Sequence, residues 1–365
     1  MRPHITIGAP TVVFSEPGFD FNSVSLSCLS NGDILCLARK IRNLTDPKGE
    51  LVMARSTDGG NTFARVPHPS AADAKAHPEW GFLIGFVGEA APGKLSAVYE
   101  YIETDESKPL FSPKTDGMQQ AYVRCAFSED NGHTWAPATD LGFKRPDIIV
   151  PGQPYAMPDG SIGFTTELHD VWENGYVENP DAWFIVSRDG GHTYNEGYLM
   201  AAEDGVIHGD ARVTFDGNGM IVYFWLYDMK NNCDRPVHKS VSHDSGRTWS
   251  KPRPLCLKTQ ITSPFFLKRG LTMCLAQDRF GEAPGLKAML SYDEGQTWDE
   301  SSAVYLFSAS SSPDGANPFA QFDQYEFGSS TLRRLGENEA VCAYFHGPAG
   351  NRAVSVNRIK VEPGD

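Results

Sequence analysis

Carboxylates, arginines, histidines and a tyrosine gather in the segments that flank a series of apolar hairpins along this 365-residue chain. After the hairpins come Arg39, Lys40, Arg42 and Asp46, then Glu100 and Glu103, then Glu167, His169 and Asp170, then Asp228, Asp278, Arg279 and His346. Before them stand Asp20, Asn22, His77, Glu79, Gln153, Tyr155, His208, Asp210, Arg212, Tyr325 and Glu326. Brought together, residues of these types suit chemistry on a sugar. Cleaving a glycosidic bond needs an acid for the leaving oxygen and a second group at the anomeric carbon. Guanidinium forks hold a sugar carboxylate at two points at once. A lyase would use a base such as His208 or His169, with an arginine to neutralise a uronate carboxylate. The bland alternatives are an Asp210–Arg212 ion pair on one strand face, a loop lock at Asp278-Arg279, and a solvated charge at Asp46. No His/Cys grouping has zinc spacing and no glycine-rich phosphate loop precedes a helix, so no metal or cofactor is expected.

The elements that must position these groups are strands. Apolar runs joined by Gly-, Asp- or Asn-rich turns recur six times. They read Val24–Leu29 with Ile34–Ala38, Gly81–Val87 with Leu95–Tyr101, Pro154–Met157 with Ser161–Thr166, Ala211–Phe215 with Met220–Tyr227, Ser263–Leu267 with Leu271–Gln277, and Ser330–Leu335 with Ala340–Phe345. Turns of the Asn-Gly and Asp-Gly kind are strong hairpin signals. After each of the first five hairpins comes an octet, Ser-Xaa-Asp-Xaa-Gly-Xaa-Thr-aromatic, beginning at Ser56, Ser128, Ser187, Ser242 and Ser291. A repeat of about 50 residues or more points to a propeller or an array. Within the octet, Ser and Asp side chains bond back to nearby backbone, Gly permits positive φ, and the aromatic ring wedges against a neighbour. Calcium is a poor alternative, because each octet carries one reliable carboxylate where an all-protein site needs several.

Six hairpins and five octets predict an all-β, six-bladed propeller of four-stranded blades, spanning residues 1–365 as one domain. A strand at Arg352–Val361 and an N-terminal strand at Ile5–Phe14 would complete the sixth blade and remove an open edge. No helical period competes. Residues 102–119 and 299–324 are the long connections, where function often sits.

With 35 Gly, 25 Pro and 11% aromatic residues the composition suits many short strands and turns. The net charge of −14 leaves no electrostatic footprint for nucleic acid or an anionic membrane. No run reaches the length of a membrane span and no signal peptide is visible. The seven cysteines lack regular spacing. Cys28, Cys36, Cys274 and Cys342 fall in apolar runs, which reads as buried thiols and a cytoplasmic home.

The octet resembles the Asp-box of the sialidase (neuraminidase) superfamily, and the resemblance covers nearly the whole chain. It implies that the box is the turn between the third and fourth strands of a blade, on the face away from the site. It also implies three substrate-clamping arginines, an acid/base Asp, and a Tyr nucleophile assisted by a carboxylate. Carried over, Asn22 stands near the first clamp position, and Arg39 or Arg42 takes the second. Asp46 falls in the acid/base loop, Asp210 is closest to the nucleophile's partner, and Tyr325 lies near the nucleophile, displaced by several positions. Ser263-Pro264, Asp278-Arg279 and Gly328-Ser329-Ser330-Thr331 are closer to the uncharacterised sialidase-like group of propellers. The expected activity is exo-acting hydrolysis of a terminal, acidic sugar by Asp46, Asp210 and Tyr325. Arg39, Arg42, Arg212, Arg279, Glu167, His169 and His208 would bind the substrate. Related propellers include lyases that split uronate linkages, and a non-catalytic carbohydrate-binding propeller is the third possibility.

Overall fold

Alternating polar and apolar residues, cut by tight glycine turns, leave this chain few choices but antiparallel strands. The computed structural model describes residues 2–115, 117–172, 181–279, 281–310 and 322–364. It is a β-propeller of six blades. Blade 1 runs Asp20–Cys28, Ile34–Ile41, Glu50–Ser56, Ala64–Val66; blade 2 runs Trp80–Ala91, Lys94–Glu103, Ala121–Ser128, Thr139–Asp140. Blade 3 runs Ile148–Ala156, Ile162–His169, Ala182–Ser187, Glu196–Ala201; blade 4 runs Val206–Phe215, Met220–Asp228, Cys233–Ser242, Arg253–Pro254. Blade 5 runs Thr262–Lys268, Leu271–Asp278, Gly285–Ser291 and Asp299–Ser308. In blade 6 Phe327–Arg334, Glu339–His346 and Ala353–Glu362 are joined by the N-terminal segment.

Three expectations need correction. The N-terminal strand is two short ones, His4–Ile7 and Thr11–Phe14, both paired with Ala353–Glu362. Between them Gly8 donates its N–H to Arg358 O, and Pro10, which has no N–H to give a ladder, precedes the second piece. Residues 299–308, read as connection, are the outer strand of blade 5. A seven-residue helix, Ser70–Ala76, interrupts the expected all-strand pattern. Its Ala-rich sequence is helix-prone, and its Asp73 accepts from Tyr99 Oη at 2.6 Å and Arg124 at 2.9 Å.

All five octets begin on the last residue of a third strand and fold identically. In each, the Ser hydroxyl donates to the Asp carboxylate two residues on and accepts the Gly N–H four residues on, as Ser187 does at 2.7 and 2.8 Å. The Thr hydroxyl donates to the same carboxylate, at 2.6–2.7 Å in every box. The carboxylates are thus saturated by the box's own donors, and these bonds help hold Asp58 down at about 2. The final ring closes the seam with the preceding blade. Phe63 packs between blades 6 and 1, Trp135 between 1 and 2, Tyr194 between 2 and 3, Trp249 between 3 and 4, and Trp298 between 4 and 5. The core is accordingly a set of layers between adjacent blades.

The box glycine is fixed by space as well as by backbone. Gly246 has φ +81°, and a Cβ there would collide with the ring of Phe184 in blade 3. Gly246→Ala is therefore expected to cost about 1–3 kcal/mol by overpacking, read as a lower denaturation midpoint in urea.

The cysteines are all unpaired; Cys36, Cys125, Cys274 and Cys342 are buried, while Cys233 and Cys256 are exposed. Among the described residues no helix is long and apolar enough to cross a membrane.

Candidate active site

The innermost strands carry a repeated irregularity at one end. Their pairing with the second strand breaks between Asn22 and Ser25, Phe82 and Ile84, Pro151 and Pro154, Gly209 and Arg212, and Gly328 and Thr331. In blades 1, 4 and 6 the extra residue is left-handed without being glycine, namely Ser23 (φ 49°), Asp210 (φ 50°) and Ser329 (φ 49°). Such a bulge re-aims side chains, and left-handed non-glycine residues cluster where structure serves a site. All three line one central cavity. The second strands add a matching ring. Arg39, Glu100, Glu167, Trp225 and Phe345 pair with inner-strand residues at or next to the break, and all five line the same cavity.

The cavity holds about 180 Å³ and gathers residues from every blade. Asp210, Arg212, Arg279, Glu167, His169, Arg39 and Tyr325 are all on its wall. Arg279 lies over the Tyr325 ring, its guanidinium carbon 3.5 Å from the centroid, and donates to Gln260 Oε1 and, at 3.1 Å, to Phe327 O. Arg212 stands 3.7 Å from Asp210 Oδ1. Glu167 accepts from His169 Nε2 at 2.9 Å with one oxygen, and with the other from the backbone N–H of Asp210 at 2.7 Å. The left-handed residue is thus held by a neighbouring blade.

Burial and charge push the three carboxyls apart. Burial would raise Glu167, but His169, the Asp210 N–H and Arg212 outweigh it and hold Glu167 below the usual carboxylate range. Burial and the Glu167 charge push Asp210 up to about 6, against Arg212 and Arg279. Burial and the same charge carry Glu100 well above its ordinary value, with Arg39 opposing. Burial raises the Tyr325 phenol while Arg279 pulls it down.

A segment between the second and third strands of blade 2 roofs the cavity. Leu110 donates its N–H to Thr45 O of blade 1 at 3.2 Å, and Met118 donates to Asp170 O of blade 3 at 2.8 Å. Phe111 meets Phe322 edge-on at 5.9 Å, and Phe322 meets Tyr325 at 5.8 Å. Tyr325 is held from below as well, since Arg352 donates Nε–H to Tyr325 O at 2.7 Å and pairs with Asp20 at 2.5 Å.

Three predicted site residues lie elsewhere. Asp46 and Arg42 line an outer cleft with Lys40, Lys48 and Glu106. The second strand of blade 1 ends at Ile41, and Arg42 and Asp46 lie in the loop that follows it. Asp46 Oδ1 caps that loop by accepting the Lys48 N–H at 2.8 Å, and only its backbone oxygen reaches Arg39. His208 is buried edge-on against Phe224 at 5.8 Å, and burial lowers it to about 4. A regular strand would set His208, Asp210 and Arg212 on one face; the bulge at Asp210 breaks that period and leaves His208 off the cavity wall. Sequence reasoning assigned no role to Glu100, Trp225 or Gln260. Glu100 had a signal, being a charge inside the apolar run Leu95–Tyr101 at the same strand position as Arg39 and Glu167.

Known structures share this architecture. A protein of unknown function from Dyadobacter fermentans superposes with a TM-score of 0.73 at 15% identity, covering 98% of this chain and 100% of that one. A Hadza microbial sialidase matches with a TM-score of 0.65 at 15% identity, over 94% of this chain and 66% of that one. The leech intramolecular trans-sialidase matches with a TM-score of 0.62 at 11% identity, over 98% and 70%. Among curated proteins no significant sequence match is found. The model of the BNR repeat-like domain matches residues 109–303, more than half of the chain. With the boxes, the six blades and the sialidase-like architecture in place, the chain belongs to the BNR repeat-like domain family.

Proposed function

We propose that this propeller is an exo-acting glycosidase that removes a terminal, acidic sugar from an oligosaccharide or glycoconjugate. The observation that carries the proposal is the Arg279–Tyr325 stack facing the Asp210–Arg212 pair in a roofed cavity. Arg212 and Arg279 hold the substrate carboxylate. Asp210, ionised above about 6, takes the phenol proton as Tyr325 oxygen bonds to the anomeric carbon. Arg279 lies against the ring on which negative charge develops, where a fixed cation has its largest effect. The roof of Leu110, Phe111 and Met118 over the cavity supports the exo-acting reading.

The His169–Glu167 pair supports a second reading, a lyase on a uronate-containing saccharide. A histidine oriented by a carboxylate is a suitable base, and Arg212 would neutralise the uronate. Mass spectrometry of oligosaccharides capped with sialic acids, uronates, rhamnose or arabinose separates the two. Products that have gained one water are expected. An unsaturated, ultraviolet-absorbing uronate would replace the hydrolase with the lyase. Saturable binding without cleavage would leave a carbohydrate-binding propeller.

A further inference from the structure

Every glycosidase of this kind needs a proton for the leaving oxygen, and Asp46 stands outside the cavity. Among the described residues three carboxyls line that cavity, and two are committed. Glu167 spends both oxygens on His169 and on the Asp210 N–H. Asp210 has Arg212 beside it and faces Arg279. Glu100 differs from both. It is 1% exposed, and its Oε1 is buried without a hydrogen-bond partner among the described residues. A buried, unpartnered carboxylate would be costly, whereas a carboxylic acid in the same place is not. The charged groups that act on it are Glu167 from blade 3, which disfavours a second negative charge, and Arg39 from blade 1. Environments that drive neighbouring carboxyls apart mark out which is acid and which is base.

We infer that Glu100 is the proton donor of this site. The inference rests on the glycosidase reading above. As the bond between the anomeric carbon and the glycosidic oxygen breaks, its electron pair goes to the oxygen, which takes the Glu100 proton. The carboxylate so formed faces Arg39, which stabilises it until the second half-reaction. There water oxygen bonds to the anomeric carbon and gives a proton to Glu100, the bond to Tyr325 oxygen breaks, and the phenol takes its proton back from Asp210, so the cycle closes with Glu100 neutral and Asp210 ionised.

The test has a part that needs no substrate. Infrared difference spectra between the wild type and Glu100→Gln at neutral pH are expected to contain the carbonyl band of a protonated carboxyl. A wild type without that band overturns the inference. With the sugar identified by the oligosaccharide panel, Glu100→Gln is expected to lose about 10²-fold or more on an alkyl glycoside. On the 2,4-dinitrophenyl glycoside, whose leaving group needs no proton, the loss in kcat/KM, which reports the first half-reaction, stays below about tenfold. Glu100→Asp restores part of the alkyl activity. Equal losses on both glycosides would mean a structural role and sink the assignment. A wild type that cleaves nothing overturns both the glycosidase reading and this role, and the band then shows whether the buried acid itself is real.

Discussion

Asp210→Asn is expected to reduce turnover by about 10²–10⁴-fold while raising the melting temperature at neutral pH. The two effects have one cause. Asp210 sits at φ 50°, a conformation Asn tolerates well, so the bulge survives the exchange. What is lost is the carboxylate that would accept the Tyr325 proton. What is gained follows from the raised titration of Asp210 to about 6. A carboxyl raised on folding contributes stability that is full below its unfolded pKa and is lost as pH rises through the folded value. At neutral pH the wild type has lost it, and a neutral isostere regains it. Wild-type activity is expected to fall as pH drops through about 6, where Asp210 becomes protonated. Steady-state kinetics against pH and calorimetry of the two proteins check these points. A variant that melts lower and retains turnover would make Asp210 a structural residue, contrary to the trade-off expected at a functional site.

Arg352→Met is expected to destabilise the protein by about 3–5 kcal/mol, the usual cost of stranding one member of a buried ion pair. Arg352 is 2% exposed and its partner Asp20 is fully buried. Asp20 accepts both the Arg352 backbone N–H at 3.0 Å and the guanidinium at 2.5 Å. The same guanidinium donates to Tyr325 O and to Asp323 O. Asp323 in turn accepts from Thr45 at 2.7 Å. One side chain therefore ties the blade 1 and blade 6 seam to the loop that presents the tyrosine. Equilibrium urea denaturation measures the loss. A weaker kcat at temperatures where the variant is still folded would report displacement of Tyr325, and an unchanged midpoint would remove Arg352 from both roles.

The architecture was legible because its causes are local. Octets at Ser56, Ser128, Ser187, Ser242 and Ser291, with Gly turns between apolar runs, announce strands and their order without reference to distant residues. Seven of the ten predicted site residues reach the cavity, because propeller topology brings strand ends of known position to one mouth. The failures have a common origin in details that no pattern encodes. A bulge leaves no mark on composition, so His208 was aligned with Asp210 although the backbone parts them. The course of residues 42–48 depends on tertiary bonds such as Thr45 to Asp323. Glu100 was noticed as a charge, but its isolation becomes visible only when its neighbours are found to be spoken for.

The closing seam has a consequence for how the molecule is made. His4 lies beside Glu362 and Thr11 beside Val356, so a segment made early pairs with one made much later in synthesis. Until then the early segment has no partner strand, and the remaining blades must form with the ring still open. Contacts of such long sequence separation form slowly, and an unclosed ring offers free strand edges to other chains. Synthesis rate and chaperone supply should therefore govern the yield of this protein more than the intrinsic strength of any one blade.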